Sequence, residues 1–451
     1  MAAAIAATSL HFPVISYASR IFCDLLSYAK RFAIGVQIMI KRLTAVAVVA
    51  VLSAAAGCTS MGEQQSAAAP ASAPVVTAGN IVFPSGPTGS QTGVQQVEEV
   101  VRKANEQLAA QGLGIGNMLQ HTIFVKDGAL SPMQVLQAFH GTATKLAPSL
   151  KEFRSVGTII RVPDFPDKNT TIMLDWVAGK SSPESYQRVP FVYGPQEIAE
   201  SIGNDKLVFT AGLEAMDFKN GTLVPTIDQQ MDVIVGKLDA ALKNAGLGVG
   251  NMIAHNLYVK KGTDPLRVIE KFHELTHRYA PELKDRPSVG TLVVVDGMAG
   301  DGFLLEMDAV AARPAVKGQP DNFKRVLFDD HSMPIARSVA VDDLVFLSGE
   351  EGMDNNGAIS DDPLVQVEVA VKKLDATLRK SGLTLANLVK HRLFIKKGAD
   401  AEQVRKKFHE VAEKLAPGLK NKPSAESVLI VEGLASDKMA FEVSAIAARR
   451  R

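Results

Sequence analysis

The sequence predicts an α+β protein in which three tandem copies of one domain form an intramolecular pseudo-trimer. Two observations predict it. The pattern Asn-x-x-x-His-x-hydrophobic-aromatic-hydrophobic-Lys-x-Gly starts at Asn117, at Asn251 and again at Asn387. Its histidines, His121, His255 and His391, stand 134 and 136 residues apart. That spacing is the size of a small domain and far exceeds a solenoid repeat. The second observation is that the strand and helix signals around the pattern agree copy by copy, in one order: β-hairpin, α, β, α, β, β.

Each copy opens with a short strand that ends in glycine: Asn80-Ile-Val-Phe-Pro-Ser-Gly86, Lys206-Leu-Val-Phe-Thr-Ala-Gly212 and Asp343-Leu-Val-Phe-Leu-Ser-Gly349. β-Branched and aromatic residues between turn formers mark strands. A helix follows. In copy two its apolar stripe is Met231, Val235, Leu238 and Leu242, with Thr226 and Gln229 as a capping box and Gly246 as the stop. Copy one matches with Val97, Val101, Ala104 and Leu108, and copy three with Val367, Val371, Leu374 and Leu378. The Asn/His strand comes next, then a second helix carrying Phe139-His140, Phe272-His273 or Phe408-His409. That helix stops at Pro148, Pro281 or Pro417, because proline cannot continue it. Two strands close each copy. The copies span residues 75–180 (shortened at its N-terminus), 187–313 and 322–449, joined by polar Pro/Gly-containing linkers.

Composition bounds the partners. Apolar residues make up 46% of the chain, charged residues 22%, and the formal net charge is +1. Three cores can be built, while no basic excess exists to follow a nucleic-acid backbone, so no nucleic-acid partner is expected. Cys23 and Cys58 are the only cysteines and both precede the repeats, which excludes a disulfide framework or cysteine metal site there. No cofactor is expected.

From Met39 the chain reads as a secretory signal at residues 39–57: Lys41-Arg42, the apolar run Leu43–Leu52, then Ala54-Ala-Ala-Gly-Cys58. The run is too short to span a bilayer. Ala-Ala-Gly-Cys resembles a bacterial lipoprotein box, in which Cys58 is lipidated. That resemblance implies a membrane partner through the lipid and, with Thr59 next, the Gram-negative outer membrane facing the periplasm. Ordinary cleavage near Ala56, or a plain membrane anchor, is the alternative. Residues 1–38 then read as a mis-assigned upstream extension, which N-terminal sequencing of the precursor would decide. Residues 58–74, rich in Ala, Ser, Gln and Pro, read as a flexible tether.

The repeat unit resembles the Rid/YjgF family, also described as endoribonuclease L-PSP, with a chorismate-mutase-like fold. The resemblance rests on strand-Ser-Gly (Phe346-Leu-Ser-Gly349), on Asn387-Leu-Val-Lys-His391, on the Ala-Pro after helix two and on the ending Glu442-Val-Ser-Ala-Ile-Ala447. It implies sheets around a central barrel and ligand clefts between neighbouring copies, with the threefold assembly supplied within one chain. It also implies an imine-deaminase site: an arginine gripping a substrate carboxylate, a glutamate positioning water and a tyrosine lining the pocket.

Transferred residue by residue, the arginine falls on Gly157, Gly290 and Glu426. The glutamate is kept as Glu306 and Glu442 and replaced by Met173, while the tyrosine falls near Ile198 and Ile335. The family serine is kept as Ser85 and Ser348 and becomes Ala211 in copy two. Arg154 and Arg286 lie a few residues before the lost arginine, where a shifted loop would bring one into a cleft. Glu306 and Glu442 are therefore the candidate catalytic residues, and Arg154, Arg286, Ser85 and Ser348 the candidate ligand-binding ones. They could equally be surface arginines and solvent-facing strand positions. His121, His255 and His391 could converge on a pseudo-threefold metal, or each could pin its own helix–strand junction. Two functions stay open: a small-ligand-binding or interaction scaffold with degenerate clefts, or a 2-imino-acid deaminase (enamine/imine hydrolase). A ribonuclease reading fits least.

Overall fold

Strand alternation and the helical stripes place five strands and two helices in each copy, and the computed structural model builds three six-stranded sheets, each with two helices on its outer face. It describes residues 75–449 apart from Tyr193, Gln196, 317–320 and 329–332. The signal, the Cys58 site and the tether lie outside the described residues. Among the described residues no helix is long and apolar enough to cross a membrane.

In copy two the strand Met252–Lys260 runs parallel to Val289–Val295 on one side and antiparallel to Leu305–Ala312 on the other. The hairpin Ala199–Gly203 and Leu207–Thr210 continues the sheet, and Gln187–Pro190 forms its edge. Copy three repeats this with Lys324–Leu327 at the edge. Copy one, described from Val75, has no counterpart to that edge strand among the described residues, and its sheet is completed by Gly297–Met298 of copy two. The linker after copy one is part of the fold: Tyr186 is buried and Arg188 donates to the Arg154, Pro183 and Tyr186 carbonyls.

The helices form where the stripes and caps require. Ile227–Asn244 starts at the Thr226/Gln229 capping box, and Met231, Val235, Leu238 and Leu242 are fully buried. The corresponding stripes of Val94–Ala109 and Pro363–Lys380 are buried as well. Each copy has its own apolar core between sheet and helices.

The other faces of the three sheets meet one another. Phe83 and Val177, Phe209 and Val310, and Phe346 and Val389 belong to one shared apolar cluster. Phe124, Tyr258 and Phe394 belong to a second. The copies join in a ring. Gly212 N donates to Gly157 O at 3.0 Å, Ala336 N to Ser288 O at 2.9 Å and Gly86 N to Glu426 O at 3.1 Å, closing copy three back onto copy one. Burial of both sheet faces makes this one cooperative body.

Between the two shared clusters lies a buried polar layer. Asp175 of copy one accepts from Arg392 Nη2 at 2.8 Å and pairs with Lys390 Nζ at 3.2 Å, both from copy three. Asp308 of copy two accepts from Asn256 at 2.7 Å. Burial raises the Asp175 carboxyl, and Arg392 and Lys390 more than reverse this, holding it far below its ordinary range. Burial pushes Lys390 down to about 8 and Asp308 up to about 6.

Candidate functional site

The clefts are built at the joins. Each combines the Asn/His strand, the first closing strand and the second helix of one copy with the hairpin and last strand of the next. At all three joins the same histidine pair recurs with its supports. His121 stacks on Phe139 at 4.8 Å between ring centres, its Nδ1 lies 3.3 Å from Ser155 Oγ, and the His140 ring stands 6.2 Å away. His255 has Phe272 at 4.5 Å, Ser288 at 3.1 Å and His273 at 6.4 Å. His391 has Phe408 at 4.8 Å, Ser424 at 2.9 Å and His409 at 6.0 Å.

These three histidines do not converge. Each lies in its own cleft and pins its own junction, which corrects the shared threefold metal expected as one possibility from the sequence. The strand alternation explains it: His121 points to the helix side with Ile123 and Val125, away from the barrel axis. Burial drives His121 and His255 down to about 3, and His140 and His273 to about 4, so all four rings are neutral near pH 7.

The histidine ring also explains the lost arginine. A Cβ placed on Gly157 would lie 2.5 Å from His121 Nε2, and one on Gly290 would lie 2.5 Å from His255 Nε2. With the ring held there by stacking and a serine, a side chain at either position requires the ring to give way. Gly290→Ala is expected to destabilise the protein by about 1–3 kcal/mol through overpacking. Combined with His255→Ala, the two changes should cost less than their sum, which a denaturation double-mutant cycle measures. Strict additivity would show that the ring does not set the glycine.

Neither nearby arginine replaces the missing cation. Arg286 Nη1 donates to Asp321 O at 3.3 Å and sits 3.8 Å from Asp321 Oδ2, tied to the incoming linker. Arg154 lines a separate cavity of about 200 Å³ with Lys151 and Ser155, which His140 and Glu197 divide from the main cleft. The expected loop shift is thus not made. Ser85 and Ser348 serve the joins: Ser348 Oγ donates to Ala336 O at 2.7 Å and accepts from Gly290 N at 3.0 Å, and Ser85 Oγ accepts from Glu426 N at 2.9 Å.

Glu306 and Glu442 are buried at the rim of the barrel and face the clefts, rather than solvent. The face opposite the helices is the barrel face here, so an alternate strand position leads inward. Each has a carboxylate companion that the sequence reading missed. Glu214 shares the first cleft with Glu306, and Glu351, the register partner of Glu442, shares the second. The signal was present in the aligned hairpins, where Gly212-Leu-Glu214 matches Gly349-Glu-Glu351. Copy one has Thr88 opposite Met173 at this place.

Burial first, then Glu214 and Asp308, push the Glu306 carboxyl well above its usual range, with Lys237 opposing. Burial, then Glu351 and Glu350, do the same for Glu442. Two carboxyls sharing one desolvated site favour retention of a proton.

The three clefts differ. The first is open, about 460 Å³, with His140, Thr158, Glu197, Glu214 and Glu306 among walls of Phe191, Ile198, Leu136 and Met133. The second, lined by Ile335, His273, Glu351 and Glu442, is about 90 Å³. At the third, Glu426 fills the arginine position and binds His391 Nε2, His409 Nε2 and the Arg405 guanidinium. Ile198 and Ile335 stand in their clefts where the tyrosine was expected.

The chain is similar to a chorismatase of known structure, 13% identical, covering 74% of this chain and 93% of that one with a TM-score of 0.46. It is similar to E. coli TdcF, solved with bound serine, at 20% identity over 28% of this chain and 94% of that chain (TM-score 0.24). A YjgF-family protein from Mycobacterium tuberculosis is 20% identical over 28% of this chain and 99% of that chain (TM-score 0.23). No curated protein sequence matches significantly. The family profile described as endoribonuclease L-PSP matches residues 197–313 and 332–449, copies two and three. With those two matches spanning about half of its length, the chain belongs to the endoribonuclease L-PSP (Rid/YjgF) family.

Proposed function

We propose that this chain binds a small organic ligand with an apolar body and a neutral or cationic amine in the cleft between copies one and two. It does not grip 2-imino acids. The observation that carries this reading is the reversal of charge in that cleft. Glycine backed by His121 stands where the family's guanidinium would be, and Glu214, Glu306 and Glu197 line the same space. No lysine or arginine is among the described lining residues. A carboxylate ligand would enter with no cation to pair it, whereas an amine would find carboxyl acceptors. Phosphodiester binding is disfavoured for the same reason, which argues against the activity in the family's older name. Carried behind the Cys58 signal, the cleft would face the periplasm.

One observation favours a second reading. Glu306 keeps the position of the water-orienting carboxylate, so hydrolysis of an imine lacking a carboxylate stays chemically open. A matched pair of probes tests the proposal. Phenethylamine should raise the melting temperature of the purified protein in a dose-dependent way, and phenylacetate should not. Enzymatically generated 2-aminoacrylate should release ammonia no faster than without the protein. Preferential stabilisation by phenylacetate, or accelerated ammonia release, would overturn the proposal.

A further inference from the structure

The third join carries a site that neither the family pattern nor the proposed ligand cleft uses. Its parts are His391 from the Asn/His strand, His409 from the second helix and Glu426 at the start of the first closing strand. One ligand atom from each lies within 4.8 Å of the others, and all three residues are buried. His391 Nε2 is 3.1 Å and His409 Nε2 is 2.7 Å from the same oxygen, Glu426 Oε2. The geometry points to a divalent transition-metal site of the zinc type, with His391, His409 and Glu426 as its protein ligands.

Three features support that assignment. The donor set, two imidazoles and one carboxylate, is the kind that holds zinc with one position open. Ligands about 2.0–2.2 Å from zinc in tetrahedral array stand roughly 3.3 Å apart. The two nitrogen–oxygen separations therefore widen by about 0.2 and 0.6 Å to admit an ion, and the two ring nitrogens already stand within 4.8 Å of each other.

The surroundings also orient the ligand atoms. Ser424 Oγ lies 2.9 Å from His391 Nδ1, where it can accept the ring proton and leave Nε2 free to ligate. Arg405 binds the other carboxylate oxygen, Oε1, through Nε at 2.7 Å and Nη2 at 2.6 Å. Glu426 Oε2 is thereby aimed at the two rings. Such outer contacts commonly fix metal ligands.

The other joins supply an internal comparison. They hold the same two histidines and serine but place glycine at the Glu426 position, and among the described residues only His391, His409 and Glu426 bring three ligand atoms together. One site per chain is therefore expected.

The test is titration of the untagged full-length chain, stripped with chelator, by Co²⁺ followed by Zn²⁺ displacement. The expected result is one equivalent of cobalt with visible ligand-field bands that zinc abolishes. Glu426→Gln and His409→Ala should each weaken binding at least about tenfold, and Ser424→Ala by about 10–100-fold, as outer-contact losses do. Glu106→Gln, on the exposed face of the helix Val94–Ala109, should leave uptake unchanged. Circular dichroism checks folding, and if Glu426→Gln misfolds, His409→Ala decides by the same criterion. Absence of saturable uptake by the natural chain, or uptake that survives the ligand substitutions, would overturn the proposal.

Discussion

Asp175→Ala is expected to cost about 3–5 kcal/mol in the first unfolding transition, the range for removing one partner of a buried ion pair. Asp175 is 1% exposed and is the acidic partner that both Lys390 and Arg392 share across the join between copies one and three. Without it the two cations respond differently. Lys390, already down to about 8 through burial, can shed its proton, but a guanidinium cannot. Arg392, only partly exposed, would then lose its hydrogen-bonded carboxylate, and its demand for water would open the ring at this seam. Adding Lys390→Met and Arg392→Leu to Asp175→Ala should recover most of the loss, because a well-packed apolar replacement of a buried ion pair is often neutral or better. Guanidinium melts of the single and triple variants check this, with limited proteolysis to locate the opening. A loss under about 1 kcal/mol for Asp175→Ala would show that the charges do not hold the seam.

Much of this architecture was legible because three copies let each signal be checked against two others. The helix stripe of Met231, Val235, Leu238 and Leu242 was readable alone, and its repetition fixed boundaries that one copy leaves loose. Closure of the ring was only implied. The chain order says nothing about which strand faces which, and the clasp of Gly86 on Glu426 joins residues far apart in sequence. What escaped the reading was charge turned inward. Lys390 and Arg392 sit where an exposed strand would carry them, and only the barrel at their backs makes them core residues. Glu306 and Glu442 invited a solvent-facing reading for the same reason. The lost arginine was legible as Gly157 and Gly290, but its physical cause, a histidine ring filling the space, needed coordinates. His409 follows a phenylalanine on the second helix, and only the fold sets it beside His391 and Glu426.

Glu306→Gln is expected to stabilise the protein at about pH 8, with a gain that vanishes toward pH 4.5, the ordinary value for this group. Its sign follows from the raised folded-state pKa. As pH climbs past 4.5 the unfolded chain gives up the Glu306 proton while the folded chain keeps it. The native state then binds more protons, so its stability falls with rising pH through the window up to the folded value. Each unit of that window is worth about 1.4 kcal/mol, and glutamine escapes the penalty because it cannot ionise. A gain of about 1 °C in melting temperature per kcal/mol is the observable scale for a cooperative body of this size. Binding should move the opposite way. Phenethylamine gains most from an ionised Glu306, so its affinity for the natural protein should rise with pH, whereas the variant should bind roughly tenfold more weakly, with a flatter profile. A variant that is less stable than the natural protein at about pH 8 would mean that Glu306 is held ionised by a partner, and the acidic-cleft argument would lose its central residue.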